Sequence, residues 1–238
     1  MKITGGATRM PSDRPLTHLG NGLSPSAPEV SGGLHIDAAQ SPDLAHRVLA
    51  RLPALDSTMP LPTPEGPRST DQLTPGDCLV TRDNEAMPLR AMLTIRVRAL
   101  GDWAPVEIGT GVFGACAALR LSRRQELLFE GWRAEQACGR SAAIFGAGDL
   151  INGTSVRSGA TGAWMQYSCA LLDRSAMIRV NGLWVTCAGL DMLHIPAALC
   201  RALPGPDPFV AHQHMSPALP RATSFEARAI TGAHPHVW

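Results

Sequence analysis

The sequence predicts an all-β domain of many short strands and hairpins, with short helices at its flanks. Three observations carry that prediction. All 20 prolines fall outside residues 106–195, and a stretch without proline keeps the backbone donors that sheet ladders use. Short apolar–polar alternations recur between turn signals, as half-buried strands do. Asn181-Gly182 stands between two apolar arms, residues 176–180 and 183–187. Asn-Gly accepts the positive φ of a two-residue type I′ turn, so these arms read as a hairpin.

The elements follow in order. Residues 1–40 are rich in Gly, Ser, Pro and Thr and have no period, which predicts a disordered N-terminal segment. Residues 41–53 predict a short helix. Ser41 caps it, Pro42 suits the first turn and Asp43 complements the helix dipole. Leu44, Val48, Leu49 and Leu52 make one apolar stripe, and Pro53 stops the helix. Five prolines (Pro53, Pro60, Pro62, Pro64 and Pro67) oppose continuous central-strand pairing over 53–69. Strands are predicted at 78–82, 93–98, 106–108, 126–129 and 164–172, with one helical turn at 134–138 and a second turn at Asn152-Gly153. The β domain is placed at 54–192. Beyond it, Pro196 opens a helix at 195–203 that Pro204-Gly205 ends, and 224–230 adds a short last helix. Residues 193–238 are thus read as a helix and an irregular tail.

Bulk properties exclude several functions. The 238 residues carry a net charge of +1 and only 17% charged residues. That excludes a strongly basic nucleic-acid binder and a highly charged disordered chain. No apolar run reaches the ~18 residues of a membrane span, and the N-terminus lacks the apolar core of a signal peptide. A cytoplasmic location is expected, with secretion by a C-terminal signal left open. The six cysteines, Cys78, Cys116, Cys138, Cys169, Cys187 and Cys200, show no short zinc-type spacing. They are expected to be small buried hydrophobes in a reducing compartment.

No histidine lies between His46 and His194, so no general-base imidazole comes from the segment that looks most folded. The tail histidines His212, His214, His234 and His236 sit in a Pro-rich context without convergent partners, and no metal is expected. Trp103, Trp132, Trp164 and Trp184 either line a groove or pack in the core, the commoner use of such residues. The Gly-x-Gly-x-x-Gly string from Gly109 to Gly114 opens no helix, so no dinucleotide cofactor is expected. No other cofactor is indicated.

Several blocks occur together in a telling order. They are Thr63-Pro-Glu-Gly66, Leu73-Thr-Pro-Gly-Asp77, Leu79-Val-Thr-Arg-Asp-Asn84, Leu119-Arg-Leu-Ser-Arg-Arg-Gln-Glu-Leu-Leu128 and Ala147-Gly-Asp-Leu-Ile-Asn-Gly153. Together with the late strand pair from Tyr167 to Val185 and Phe225-Glu-Ala-Arg228, they resemble hedgehog/intein (Hint) domains of the bacterial type. The resemblance covers about 55–190. It implies a self-processing chemistry, in which a Cys at the first position attacks the preceding carbonyl and a His in a Ser/Thr-x-x-His block activates that peptide.

Carried over residue by residue, the resemblance implies a degenerate site. Ala54-Leu-Asp-Ser-Thr58 holds no cysteine, Gln125 stands at the block histidine, and Ser175 stands where a late-strand histidine is frequent. Gln125 cannot shuttle a proton at neutral pH. The reading that follows is a structural or interaction module that leans away from being an enzyme. The sequence names no partner and leaves a protein as one candidate, with neither nucleic acid nor membrane expected. The alternative is residual self-processing near 54–58 by an oxygen nucleophile, Ser57 or Thr58, with Asp77 or Asp83 nearby. The plainer view of Asp77 is a turn residue whose carboxylate accepts backbone N–H groups.

Overall fold

The computed structural model describes residues 33–190 and 219–232. The first elements are β1 (Gly33–Asp37), α1 (Pro42–Leu49), β2 (Leu55–Asp56), β3 (Pro60–Thr63), β4 (Gly66–Ser69), β5 (Cys78–Val80), β6 (Ala86–Pro88), β7 (Ala91–Arg98) and β8 (Val106–Ile108). They are followed by β9 (Leu119–Leu121), β10 (Glu126–Glu130), α2 (Trp132–Cys138), β11 (Ala142–Gly146), β12 (Val156–Ser158), β13 (Trp164–Leu172), β14 (Ala176–Val180), β15 (Leu183–Gly189) and α3 (Ser224–Ile230). The all-β prediction holds. Eleven strands join one curled sheet ordered β11-β10-β15-β13-β2-β9-β8-β12, with β7 beside β13, β1 beside β7 and β14 beside β15. The predicted helix at 195–203, the tail histidines and Cys200 lie outside the described residues.

Where proline occurs, pairing is peripheral. Pro60 and Pro62 sit in β3, which pairs only with β4 in a separate two-stranded sheet. Proline lacks the donor a central ladder needs. β5 and β6 form a second small hairpin. The predicted Asn-Gly turn joins β14 to β15, with Asn181 at φ 45° and Gly182 at φ 89°. Gly182 is required twice over. Besides its positive φ, a Cβ there would lie 2.9 Å from the Gly114 carbonyl oxygen.

The described residues hold two apolar clusters, and β7 and β13 serve both. In β13, Ala170 and Leu172 face the first cluster, while Tyr167, Cys169 and Leu171 face the second. In β7, Met92 faces the first and Leu93, Ile95 and Val97 the second. The period of two thus persists with both faces covered.

One correction concerns the N-terminal segment. Residues 33–37 are not disordered, because β1 runs parallel to β7 with Ile36 opposite Ile95. Ile36 and Ala38 join Ala45, Val48, Leu49 and Leu52 of the α1 region in the second cluster. The apolar alternation around Leu34 and Ile36 is too short to read against a Gly-rich background. A neighbouring strand with free donors and acceptors makes it a strand. The Asp37 carboxylate anchors it, accepting from Arg96 at 2.9 Å.

Candidate functional site

The block Ser122-Arg-Arg-Gln125 forms the turn between β9 and β10, closed by the Gln125 N–H donating to the Ser122 carbonyl at 3.0 Å. Ala54, just before β2, is locked to that turn from both sides. Its N–H donates to Ser122 Oγ at 3.2 Å, and its carbonyl accepts from the Ser122 N–H at 2.8 Å. The structure therefore sets the Pro53–Ala54 peptide against this block. Ala54 itself is buried and brings a methyl group to the place.

Gln125 is wholly buried (0% exposed). Its Nε2 donates to the Thr186 carbonyl at 2.9 Å and the Glu126 carbonyl at 3.2 Å. Its Oε1 is buried with no hydrogen-bond donor among the described residues. The amide thus ties the turn to β15. No hydrogen bond joins it to Ser57, Thr58 or Ser175 among the described residues.

Ser57 and Thr58 lie elsewhere. They line a cavity of 570 Å³ together with His35, Thr70, Asp71 and Ser168. Thr58 Oγ1 donates to Asp56 Oδ1 at 2.8 Å, and the Thr58 N–H donates to the same oxygen at 3.0 Å. Asp56 is itself buried and paired with Arg120 at 3.0 Å. This is an Asx-type turn, in which the Thr58 hydroxyl serves local structure. Behind it, Thr70 Oγ1 donates to the Ser57 carbonyl at 2.7 Å and lies 3.2 Å from Ser168 Oγ. Nothing local in the sequence marks His35 for this place, because β1 is a strand only through its pairing with β7. Only the β1–β7 pairing brings an imidazole to the cavity that holds Ser57.

Asp77 is the turn residue expected. Its Oδ2 accepts from the Thr74 N–H at 2.8 Å, and Arg68 lies 3.5 Å from Oδ1. The Thr74 N–H, aided by Arg68, holds this carboxyl below the usual carboxylate range. Asp83 is exposed on the β5–β6 turn and lines a cleft that also holds Ser175 but neither Ser57 nor Thr58. Asp77 and Asp83 are thus not brought to the Ser57 cavity. Ser175 is exposed on the β13–β14 turn. It borders a 400 Å³ cleft with Pro53, Arg123, Glu126, Thr186 and Arg221. The turn that carries the block, the residue before Ala54 and Ser175 therefore do converge, while the oxygen nucleophile candidates do not join them.

The cysteine expectation is met in part. Cys169 and Cys187 are buried, and burial pushes the Cys187 thiol up to about 12 and the Cys169 thiol further still. Cys116 is exposed, contrary to expectation, because it follows the tight turn at Gly111–Gly114 on the surface. That turn has positive φ at Gly111, Phe113 and Gly114 and leads into β9. Two of the four tryptophans depart from core packing, while Trp103 packs against the second cluster and Trp184 is half-buried. Trp132 is 65% exposed, and Trp164 is 39% exposed with Arg96 and Arg98 at 4.2 and 5.2 Å from its ring. Guanidinium groups stacked on an indole face let it stay at the surface. Among the described residues no group of His, Cys, Asp and Glu is arranged to hold a metal.

A family model described as Hint domain matches residues 55–188. The chain belongs to the Hint domain family. The match begins at Leu55, one residue after the Ala54 that Ser122 grips. Among solved structures, the MchDnaB-1 intein is 15% identical, with a TM-score of 0.35, covering 56% of this chain and 99% of its own. The AceL NrdHF class 3 split intein, in a GSH linked splice inactive variant, is 12% identical with a TM-score of 0.36, covering 57% and 97%. No curated protein matches.

Proposed function

We propose that this Hint domain has lost self-processing and serves as a structural or interaction module. One observation carries the reading. At the peptide that the block grips, the chain offers the Ala54 methyl in place of a nucleophile and the Gln125 amide in place of an imidazole, and that amide is committed to the Thr186 carbonyl. A carboxamide neither accepts nor delivers a proton at neutral pH. The packing upstream agrees. β1 and α1 precede Pro53–Ala54 and belong to the same apolar cluster as β7 and β13, so a cut there would divide the domain's own core. The near-neutral charge and the free cysteines fit a cytoplasmic chain whose partner is a protein.

Intact mass after purification tests this, with and without hydroxylamine or thiol. A single species of 25.2 kDa is expected in every condition. The rival reading, residual cleavage by Ser57 or Thr58, draws on the cavity that brings His35 to the same lining as Ser57. Fragments with a new terminus at 54–58, lost in Ser57→Ala or Thr58→Ala, would establish that rival and overturn the first reading.

A further inference from the structure

The floor of the 570 Å³ cavity beside Ser57 is one face of the curled sheet. Side chains alternate between faces along a strand. In β7, Leu93, Ile95 and Val97 face the second apolar cluster, so Met92 and Thr94 take the other face. β1 and β13 follow the same rule, with Leu34 and Ile36, and Tyr167 and Cys169, turned to that cluster. Register then completes the floor. Thr94 lies opposite His35 of β1 on one side and Ser168 of β13 on the other. Three polar side chains thus stand in a row across three adjacent strands. The walls come from Ser57 and Thr58 and from the segment 69–74 that follows β4.

Some of the lining is already committed. Thr58, Thr70 and Thr74 donate their hydroxyls to Asp56, to the Ser57 carbonyl and to Asp77. With the Thr70 hydrogen so used, Ser168 Oγ donates to Thr70 across their 3.2 Å contact. The rest is not. Among the described residues, the hydroxyls of Ser57, Ser69 and Thr94 and the side-chain amide of Gln166 have no hydrogen-bond partner. The three hydroxyl residues are half-buried and Gln166 is exposed. All four border the open space, so a molecule entering the cavity reaches them directly.

The lining also selects the kind of molecule. Among the described residues it holds no lysine or arginine, and Asp71 and His35 are its ionisable side chains. An anion therefore finds no guanidinium or ammonium group to pair with. An apolar ligand would strip water from the hydroxyls and return no hydrogen bond. A hydroxyl both donates and accepts, and other hydroxyls match it in both roles. Buried Leu73 and Met92 add an apolar strip that suits the C–H face of a sugar ring. The volume falls within the roughly 300–1,000 Å³ of small-molecule sites.

We propose that this cavity binds a neutral saccharide, held by the Ser57, Ser69 and Thr94 hydroxyls and the Gln166 amide. The site shares no residue with the Gln125 turn, so the inference goes beyond the module reading and does not depend on it.

The test follows the His35 imidazole ¹H–¹³C resonance, assigned with His35→Gln, in the full-length protein. Glucose, galactose, mannose, N-acetylglucosamine and maltose are titrated separately, with glycerol at equal osmolality as control. A saturable shift with at least one sugar is expected, against a linear drift with glycerol. Thr94→Val removes one hydroxyl at nearly constant shape from a strand that favours β-branched residues. Ser69→Ala removes another, from a side chain that makes no cap to the turn it precedes. Each should weaken binding about threefold to tenfold, the scale of one neutral hydrogen bond, at an unchanged urea midpoint. Should Thr94→Val lower that midpoint, Ser69→Ala decides alone. No saturable shift with any of the sugars, an equal response to glycerol, or unchanged affinity in the variants that keep the midpoint would each overturn the site.

Discussion

Gln125 ties two elements together from a wholly buried position. The amide bridges the block turn to β15 through the Thr186 carbonyl. Its buried Oε1 is left without a donor among the described residues, which lowers the net gain from the bridge. Replacing it still opens a cavity and strands the carbonyls it serves. Gln125→Ala is expected to destabilise the fold by about 2–4 kcal/mol, read from urea unfolding midpoints at unchanged slope. A loss below about 0.5 kcal/mol, the scale of an ordinary surface change, would show that the amide is not a structural tie.

At the scale of elements, the β14–β15 hairpin organises the late part of the domain. β15 pairs with β14 along its length, with β10 through Val185 and Trp184, and with β13 through Ala188 and Gly189. Its turn depends on Gly182, which combines φ 89° with close approach to the Gly114 carbonyl. Gly182→Ala meets both backbone strain and a clash, and about 2 kcal/mol or more of destabilisation is expected. Thermal unfolding of the variant checks this, and an unchanged midpoint would mean that the turn readily rearranges. α3 has its own device. The Thr223 hydroxyl accepts from the Glu226 N–H while the Glu226 carboxylate accepts from the Thr223 N–H at 2.6 Å, a reciprocal capping box.

For the whole molecule, two predictions follow from how distant segments are joined. Deleting residues 1–53 removes β1 and α1 from the second apolar cluster and uncovers Leu93, Ile95 and Leu171. The truncated chain is expected to aggregate or to bind a hydrophobic dye, and a soluble, cooperatively unfolding 54–238 chain would show that the Hint core stands without its upstream arm. The pH dependence rests on carboxylates at separate junctions. The Ala39 N–H and Arg96 lower the Asp37 carboxyl, the Thr74 N–H and Arg68 lower Asp77, and the Thr223 N–H lowers Glu226. Each titrates lower in the folded chain than in the unfolded one. The stability they contribute is therefore complete above the unfolded values near ~4 and is lost as pH falls through the folded values. The melting temperature should fall steadily from pH 5 toward pH 3, with a shallower fall in Asp77→Asn.

The sequence by itself determined the all-β class, the Asn181-Gly182 hairpin, the strand at 164–172 and the lack of any histidine between His46 and His194. These are legible because period, turn chemistry and residue identity are local properties. It also carried the order of blocks that places the chain among Hint domains. The tertiary structure alone decided that residues 33–37 form a strand, that His35 reaches the Ser57 cavity, that Ser57 and Gln125 stand apart, and that Arg123 and Trp103 border one cleft. Each of those depends on which distant segment supplies a backbone partner or an acceptor. Pairing of that kind, between residues as far apart as Ala54 and Ser122, leaves no periodic trace in the chain.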